Sequence, residues 1–212
     1  MGCLRAMVVR IGCLVILLAL LVAGFLYRRE VLDYYRAWRG GAGATWTAPA
    51  ADASRAHEVL RRLEQRGGPA YEDLSAADLA ALVTAALQRQ GRHAMDSVQV
   101  ALLENEVRVR GILDLSGVPR HLLGPLASMV GDHEPAAIGG PLSVDTAGRL
   151  LLTVTYLRLR DFPFPRATIP RLLGAAHLPG VDGATMPLPV SARLGDVRVS
   201  PAGVRFYRAS PR

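Results

Sequence analysis

A single uncharged apolar run, from Ile11 to Tyr27, constrains this chain more than any other feature of the sequence. Its 17 residues reach the short end of the roughly 17 to 25 that a membrane-spanning helix needs. Met7, Val8 and Val9 extend the apolar stretch if the guanidinium of Arg10 reaches back to the headgroups. We therefore predict that residues 1–27 form a cytoplasmic tail and a single-pass transmembrane signal anchor.

A cleaved signal peptide is the competing interpretation, because such peptides also have a short basic start and an apolar core. The small residues Val22-Ala23-Gly24 would tolerate cleavage, but the apolar run continues beyond them through Phe25 and Leu26. The better small-residue motif, at residues 42–44, lies too far downstream. These features favour the anchor.

Charge around the apolar run gives little indication of orientation, because Arg residues lie on both sides of it. The placement of cysteine is more informative. Cys3 and Cys13 lie before or within the anchor, so the rest of the chain has no thiol to be oxidised outside the cytoplasm. We expect a protein of the cell inner (cytoplasmic) membrane with an extracytoplasmic C-terminal domain. General scarcity of cysteine in the source proteome is the alternative explanation.

Residues 28–53 combine a juxtamembrane segment with a linker. Side chains typical of a membrane interface occur in the first part: Arg28, Arg29, Tyr34, Tyr35 and Trp38. We predict an amphipathic helix over residues 28–39 that lies at the interface; a helix that binds a partner protein is the alternative. Residues 40–49 then have the Gly, Ala and Pro content of a linker.

The net charge of +7 is concentrated near the apolar run. Residues 1–39 have six Arg against one Glu and one Asp, and Arg at this position suits anionic headgroups. The absence of Lys beside so many Arg indicates genome composition rather than phosphate recognition. No nucleic-acid motif or base-stacking aromatic cluster follows. We expect membrane lipid as a partner and no nucleic acid.

Residues 54–212 are predicted to form one α+β domain with a largely antiparallel sheet packed on helices. Helical spacing of apolar residues predicts helices over 54–66 and 76–90, the second with Ser75 as N-cap and a buried stripe of Leu79, Leu82, Val83, Ala86 and Leu87. Further helices are predicted over 119–130, broken at Gly124-Pro125, and over 170–176. Alternation predicts a hairpin over 98–115, in which Gly111 marks a bulge or bend in the second strand. It also predicts strands over 141–145 and 149–160 and a second hairpin over 190–207.

The strongest chemical evidence is the absence of residue types. Without Lys the chain lacks Walker A, Schiff-base and Ser-x-x-Lys chemistry, and without Cys beyond Cys13 the domain lacks thiol catalysis and Cys-ligated zinc. The densest polar cluster, Asp132-His133-Glu134, precedes Pro135 in a predicted loop, where a solvated turn is favoured over a metal site. We predict no enzymatic activity, no catalytic residue, no metal and no cofactor.

The order of segments resembles that of YpmS-type membrane-anchored proteins. The resemblance rests on the anchor and linker, the Leu-Ser-x-x-Asp-Leu helix start at residues 74–79, the alternating hairpin and the long strand at 149–160. The segment Gly195–Phe206 is similar to the LmeA type of lipid-associated envelope protein. Both resemble the tubular lipid-binding, or TULIP-like, type, which implies a curved antiparallel half-barrel around a helix and an apolar groove. Ala80 departs from the Asn common in YpmS-like proteins.

Under that resemblance, apolar side chains of the predicted strands and helix are candidates for a lipid groove: Leu79, Leu82, Val83, Val98, Val100, Leu102, Val107, Val109, Leu150, Leu152, Val154 and Tyr156. An ordinary packed core is the alternative, because alternation identifies a buried face but not whether the space behind it is filled. We predict a non-enzymatic membrane-anchored envelope protein that binds lipid or another amphiphile. A bitopic scaffold for an envelope protein partner is the alternative.

Overall fold

A computed structural model describes residues 44–89, 95–116, 130–175, 180–188, 190 and 193–209. The predicted anchor, the juxtamembrane helix with its five interface residues, and the helix predicted over 119–130, apart from its last residue, lie outside these ranges. Within them, no helix combines the length and the apolar character needed to cross a membrane.

The elements alternate between short helices and antiparallel strands. In chain order they are α1 (Ser54–Glu64), β1 (Tyr71–Leu74), α2 (Ala76–Arg89), β2 (Met95–Leu103), β3 (Glu106–Asp114), β4 (His133–Gly140), β5 (Leu142–Val144), β6 (Leu150–Thr153), β7 (Tyr156–Leu159), β8 (Phe162–Pro163), a 3₁₀ turn (Arg166–Thr168), α3 (Ile169–Ala175), β9 (Thr185–Pro187), β10 (Leu194–Ser200) and β11 (Gly203–Arg208). These strands form three sheets, ordered β1-β11-β10, β2-β3-β4-β7-β8 and β5-β6-β9. Every pair is antiparallel, which confirms the α+β prediction.

Both predicted N-terminal helices are confirmed. On α1, Val59, Leu60 and Leu63 are buried at helical spacing, as expected. At the start of α2, Ser75 and Asp78 form a reciprocal capping box: the Ser75 backbone N–H and Oγ–H donate to Asp78 Oδ2, and the Asp78 N–H donates to Ser75 Oγ. These bonds satisfy backbone donors that a helix start would otherwise leave free.

The buried face of α2 differs from the predicted stripe. The residues of α2 with almost no exposure are Asp78 of the cap, Ala80 and Ala81, whereas Leu79, Leu82 and Val83 are half-buried. Leu79 and Leu82 pack against the edge of the core. Ala80 belongs to the main core, and α2 contacts β2. Hydrophobic periodicity favours leucine and valine at buried positions, so it did not indicate that small residues take them here.

The hairpin β2–β3 is confirmed, with its turn at Glu104-Asn105 and Asn105 in the left-handed region at φ 58°. The predicted bulge is in the other strand. The register shifts within β2, between Asp96 and Gln99, while β3 pairs regularly with β4 through Gly111. A Cβ on Gly111 would lie 2.6 Å from the Asp96 carbonyl oxygen, so glycine makes room for the bulge of its partner.

The prediction of one long strand over 149–160 is wrong. The segment divides at Val154-Thr155, so that β6 belongs to the three-stranded sheet with β9 and β7 belongs to the five-stranded sheet. The Val154 N–H donates to Ala184 O at 2.7 Å, and the next N–H, of Thr155, donates to Gly139 O at 2.9 Å. The first amide bonds to the residue just before β9 and the second bonds to β4, so the chain changes sheets at this point.

The loop predicted around Asp132-His133-Glu134 is also wrong, because His133 and Glu134 begin β4. This strand pairs over its whole length with β3, from His133 opposite Asp114 to Gly140 opposite Val107. Proline, alanine and glycine have low strand propensity, but β3 and β7 supply hydrogen-bonding partners on both sides of β4. Context therefore overrides propensity here.

The main core joins the helices to residues of all three sheets. Side chains of α1, β1, β10 and β11 pack with Val100 and Val107 of the five-stranded sheet and with Leu150. A second cluster surrounds Ile169 and Leu173 of α3, the short helix predicted over 170–176, and includes Leu152 and Val154. The C-terminal hairpin is confirmed as β10 and β11, although β10 starts at Leu194 rather than near residue 190.

Candidate ligand-binding trough

Most of the predicted groove residues are distributed over two packed clusters. Val100, Val107 and Leu150 are buried in the main core, and Leu79, Leu82, Leu102 and Val109 pack against it. Leu152 and Val154 belong to the second cluster, Val98 is buried and Val83 is half-buried. The structure therefore brings Val100, Leu102, Val107 and Val109 together in or against the main core and places Leu152 and Val154 in the second cluster.

Tyr156 lies on the opposite face of the five-stranded sheet from Val107 and Val109. The register places Arg108, Gly139 and Tyr156 directly across from one another on β3, β4 and β7, and side chains in such a row share one face. Because successive side chains alternate, Val107 and Val109 face the other way. The assignment of Tyr156 to the apolar face is therefore wrong, since the sheet change at Val154-Thr155 breaks the alternation.

The face that carries Tyr156 has a floor of small residues. Pro135, Ala137 and Gly139 of the central strand β4 lie in this face, between longer side chains on β3 and β7. A Cβ on Gly139 would meet Arg108 Cγ at 2.6 Å, so the floor at that point has no room for a side chain. We call this depression the trough: its floor is Pro135, Ala137 and Gly139, and its walls carry Arg108, Arg110 and Ile112 on one side and Tyr156, Arg158 and Arg160 on the other.

One end of the trough is closed by a buried arginine. Arg108 has its guanidinium carbon 4.3 Å from the centre of the Tyr156 ring, and its Nη2 donates to Glu106 Oε2 at 3.1 Å. Both Arg108 and Tyr156 are buried. A buried cation with an aromatic and a carboxylate partner is a structural group.

At the other end, Glu134 organises the turn into β4. Its Oε1 accepts a hydrogen bond from the Gly131 N–H at 2.6 Å, and its Oε2 lies 3.3 Å from Arg160 Nε. Glu134 is buried, whereas Arg160 is largely exposed. The carboxylate is therefore engaged on both oxygens.

The middle of the trough has a cross-strand pair of arginines. The register places Arg110 opposite Ala137 and Ala137 opposite Arg158. Arg110 Nε donates to Gln99 Oε1 at 2.8 Å. Arg158 donates to Arg160 O at 2.9 Å and to Asp161 Oδ1 at 3.0 Å, and Asp161 is fully exposed.

The chain that precedes the domain forms part of the wall. Thr47 and Val100 exchange two backbone hydrogen bonds of 2.9 Å, so this segment adds to the open edge of β2. Its neighbour Trp46 places its ring 4.4 Å from the guanidinium carbon of Arg110. The predicted linker is thus fixed to the sheet at this point.

Together these groups surround a hollow of about 690 Å³, within the range of small-molecule sites. Its lining includes the apolar groups Trp46, Ile112, Pro135, Ala137 and Tyr156 as well as Arg110, Arg158 and Arg160. A second hollow of about 340 Å³ includes Leu102 in its lining. Within the described ranges, no three His, Cys, Asp or Glu side chains gather as a metal site.

Sequence reasoning missed the trough although part of its signal is visible. Arginines alternate with apolar residues in Val-Arg-Val-Arg at 107–110 and in Tyr-Leu-Arg-Leu-Arg at 156–160. That alternation indicates two strands with one apolar and one cationic face. The sequence did not indicate β4, whose small residues form the floor between these two strands.

Comparison with known proteins adds no assignment to this geometry: no family model, no curated protein and no solved structure matches the chain.

Proposed function

We propose that this chain is a membrane-anchored, non-enzymatic binding protein of the cell envelope that holds a lipid or another amphiphile in the trough. The observation that carries the proposal is the mixed lining of the hollow, in which Trp46 and Ile112 lie beside Arg110 and Arg158. Ligand sites of this size combine an apolar lining with a few polar groups that orient the ligand. An amphiphile has that same division between an apolar and a polar part.

The position of the trough in the chain also supports a membrane ligand. Trp46 lies 19 residues after Tyr27, the end of the predicted anchor. A fully extended chain of that length spans about 65 Å at most. The trough is thereby restricted to a layer close to the membrane in which the anchor is proposed to sit.

The site proposed from the structure differs from the apolar groove predicted from the sequence. Several residues of that groove, such as Val100 and Val107, pack within the main core. The trough uses the other face of the same sheet. A curved half-barrel of the tubular lipid-binding type, the YpmS-like resemblance and the inner-membrane location stay parts of the proposal.

Native mass spectrometry of the full chain, purified in a mild detergent, tests the proposal when combined with solvent extraction of bound lipids. Pro135→Trp places a large ring on the exposed part of the trough floor, and Ala167→Trp places the same ring on the exposed 3₁₀ turn as a matched control. We expect a bound amphiphile in the wild type and in Ala167→Trp, and its loss in Pro135→Trp. A bare mass for all three, or equal occupancy in all three, would refute the proposal.

A scaffold function is the second candidate, and a different surface favours it. On the face of the sheet β1-β11-β10, Tyr71 is 48% exposed and stands opposite Tyr207. Arg205 lies 4.3 Å above the Tyr71 ring and forms a two-pronged ion pair with Asp73, which lowers the pKa of that carboxyl group. Exposed tyrosine and arginine are enriched at the centres of protein interfaces.

Crosslinking of the full chain in intact cells tests the scaffold candidate. Tyr71→Ser removes the exposed ring, and Phe162→Ser removes another exposed ring, on β8, as a control. The scaffold function predicts a crosslinked partner of defined mass that Tyr71→Ser loses and Phe162→Ser retains. The same adducts in both variants would count against this surface.

A further inference from the structure

We infer that the trough binds an anionic group, a phosphate or a carboxylate, between Arg110 and Arg158, and that this group belongs to the polar end of the amphiphile. The inference rests on the proposed function and adds the chemical class of ligand. It follows from the row that Arg110, Ala137 and Arg158 form across three strands.

The row provides space for an anion between two cations. Adjacent strands lie about 4.8 Å apart, so the backbones that carry the two arginines are about 10 Å apart with a methyl group between them. A bound phosphate or carboxylate above Ala137 is within the reach of both long side chains. Guanidinium groups suit such oxyanions because their N–H donors match two oxygens at once.

The other charges of the trough have defined partners, whereas Arg110 does not have a carboxylate. Arg108 is paired with Glu106, and Arg160 with Glu134. Among the residues that the structure describes, Arg110 bonds through Nε to the neutral amide of Gln99 and forms no ion pair. Its two Nη groups therefore carry N–H donors for a ligand. Arg158 forms an ion pair with the fully exposed Asp161, and an ion pair with an exposed partner contributes little to stability. A ligand can therefore replace Asp161 as the partner of Arg158 at small cost.

The groups around Arg110 hold it in place before a ligand arrives. Gln99 accepts its Nε–H, and the Trp46 ring stacks on its guanidinium group. A cation whose side chain is already oriented loses less conformational entropy on binding. Arg110 is therefore oriented by two independent contacts although it is exposed.

Trp46 also supplies a direct readout of the site. The chain has two tryptophans, Trp38 and Trp46, so Trp38→Phe leaves Trp46 as the sole tryptophan. An anion that binds to Arg110 changes the surroundings of the Trp46 ring and hence the fluorescence of Trp46. Native mass spectrometry of the same samples registers binding whether or not the emission changes.

The experiment titrates the full chain carrying Trp38→Phe, in detergent, with three probes. Dihexanoyl phosphatidylglycerol has both acyl chains and an anionic phosphate, dihexanoylglycerol has the chains alone, and inorganic phosphate has the charge alone. We expect saturable binding of the phospholipid and binding of dihexanoylglycerol that is roughly tenfold to a hundredfold weaker, the ratio that charge-assisted hydrogen bonds supply.

Charge variants locate the effect. Arg110→Gln and Arg158→Gln are each expected to weaken phospholipid binding by about tenfold or more and to leave dihexanoylglycerol binding unchanged. Arg66→Gln, at an exposed site in the loop between α1 and β1, is the matched control and is expected to bind like the parent.

The outcomes distinguish the anion inference from the proposed amphiphile-binding function. Equal affinity for phospholipid and dihexanoylglycerol overturns the anion inference and leaves the proposed amphiphile function standing. Inorganic phosphate that binds as tightly as the phospholipid supports the anion site and overturns the amphiphile function. An anion preference that survives Arg110→Gln and Arg158→Gln shows that the charge acts elsewhere, and binding of none of the probes overturns both.

Discussion

Gly140→Ala is expected to destabilise the domain strongly, although it adds a single methyl group. Gly140 is the last residue of β4 and is buried where the chain passes from β6 to β7. A Cβ at this position would lie 1.8 Å from the carbonyl oxygen of Thr153 and 3.0 Å from the backbone nitrogen of Thr155. Both obstacles are backbone atoms, so rotation of a side chain cannot relieve the clash.

The size of the effect follows from the displacement required. Side-chain Cβ atoms essentially never approach a heavy atom closer than 3.0 Å, so the Thr153 carbonyl must move by about 1.2 Å. The neighbouring amide of Thr155 is bonded to Gly139 at 2.9 Å, which restrains that movement. Overpacking a core costs about 1–3 kcal/mol, and a clash with restrained backbone belongs at the upper end, about 3 kcal/mol.

Thermal unfolding of the full chain in detergent, followed by near-ultraviolet circular dichroism, measures the effect. For a chain of this size, 1 kcal/mol shifts Tm by about 2–4 °C, so Gly140→Ala is expected to lower Tm by about 6–12 °C. Gly174→Ala is the matched control. Gly174 lies near the end of α3, where an added methyl group would meet no atom within 4 Å, and alanine there is expected to add about 0.5–1 kcal/mol.

The difference in Tm between Gly140→Ala and Gly174→Ala tests whether the clash at Thr153 sets the effect. A shift of about 2 °C or less corresponds to less than 1 kcal/mol. Such a small shift for Gly140→Ala would show that the two sheets do not meet at Thr153 as described. Equal shifts for Gly140→Ala and Gly174→Ala would show that loss of glycine, rather than its surroundings, sets the effect.

Three further predictions concern stability and use the same melting assay. Asp78→Ala removes the partner of Ser75 in the capping box and is expected to cost about 1–2 kcal/mol; an unchanged Tm would contradict the cap. Phe206→Ala empties a site that is 1% exposed and is expected to cost about 3–5 kcal/mol, and a cost below about 1 kcal/mol would show that the site is not tightly packed. Hydrogen bonds from the backbone and then the side chain of Arg149 lower the pKa of Asp145 below 3.8, so the stability that Asp145 contributes is present above that pH and lost as the pH falls. Asp145→Asn is therefore expected to reduce the fall of Tm at acid pH. The same fall of Tm in the variant and the wild type would refute this.

Elements set by local signals were predictable from the sequence. Helix α2 follows from its cap at Ser75 and Asp78, and the hairpin β2–β3 follows from alternation around a two-residue turn with Asn105 in the left-handed region. These signals depend on neighbours within a few residues. They therefore survive in one sequence without knowledge of the rest of the fold.

Elements set by distant partners were not predictable. Nothing local marks residues 133–140 as a strand, because β4 exists through its pairing with β3 and β7. The apolar alternation also continues without a break through Val154. Leu150 is buried in the main core, whereas Leu152 and Val154 are buried in the second cluster, so one periodic run serves two clusters. Periodicity gives burial, but it does not tell which sheet a residue belongs to.

The candidate site depends on that same unpredictable register. The two alternating arginine segments are visible in the sequence, yet whether Arg110 stands across from Arg158, and what lies between them, is fixed by β4. The small residues of β4 act on both of its faces: Ala137 and Gly139 form the trough floor, and Gly140 lets the chain cross between the sheets at Thr153. Because one strand determines both, a larger side chain at Gly140 is expected to disturb the trough as well as the fold, whereas a change at Arg110 affects binding alone.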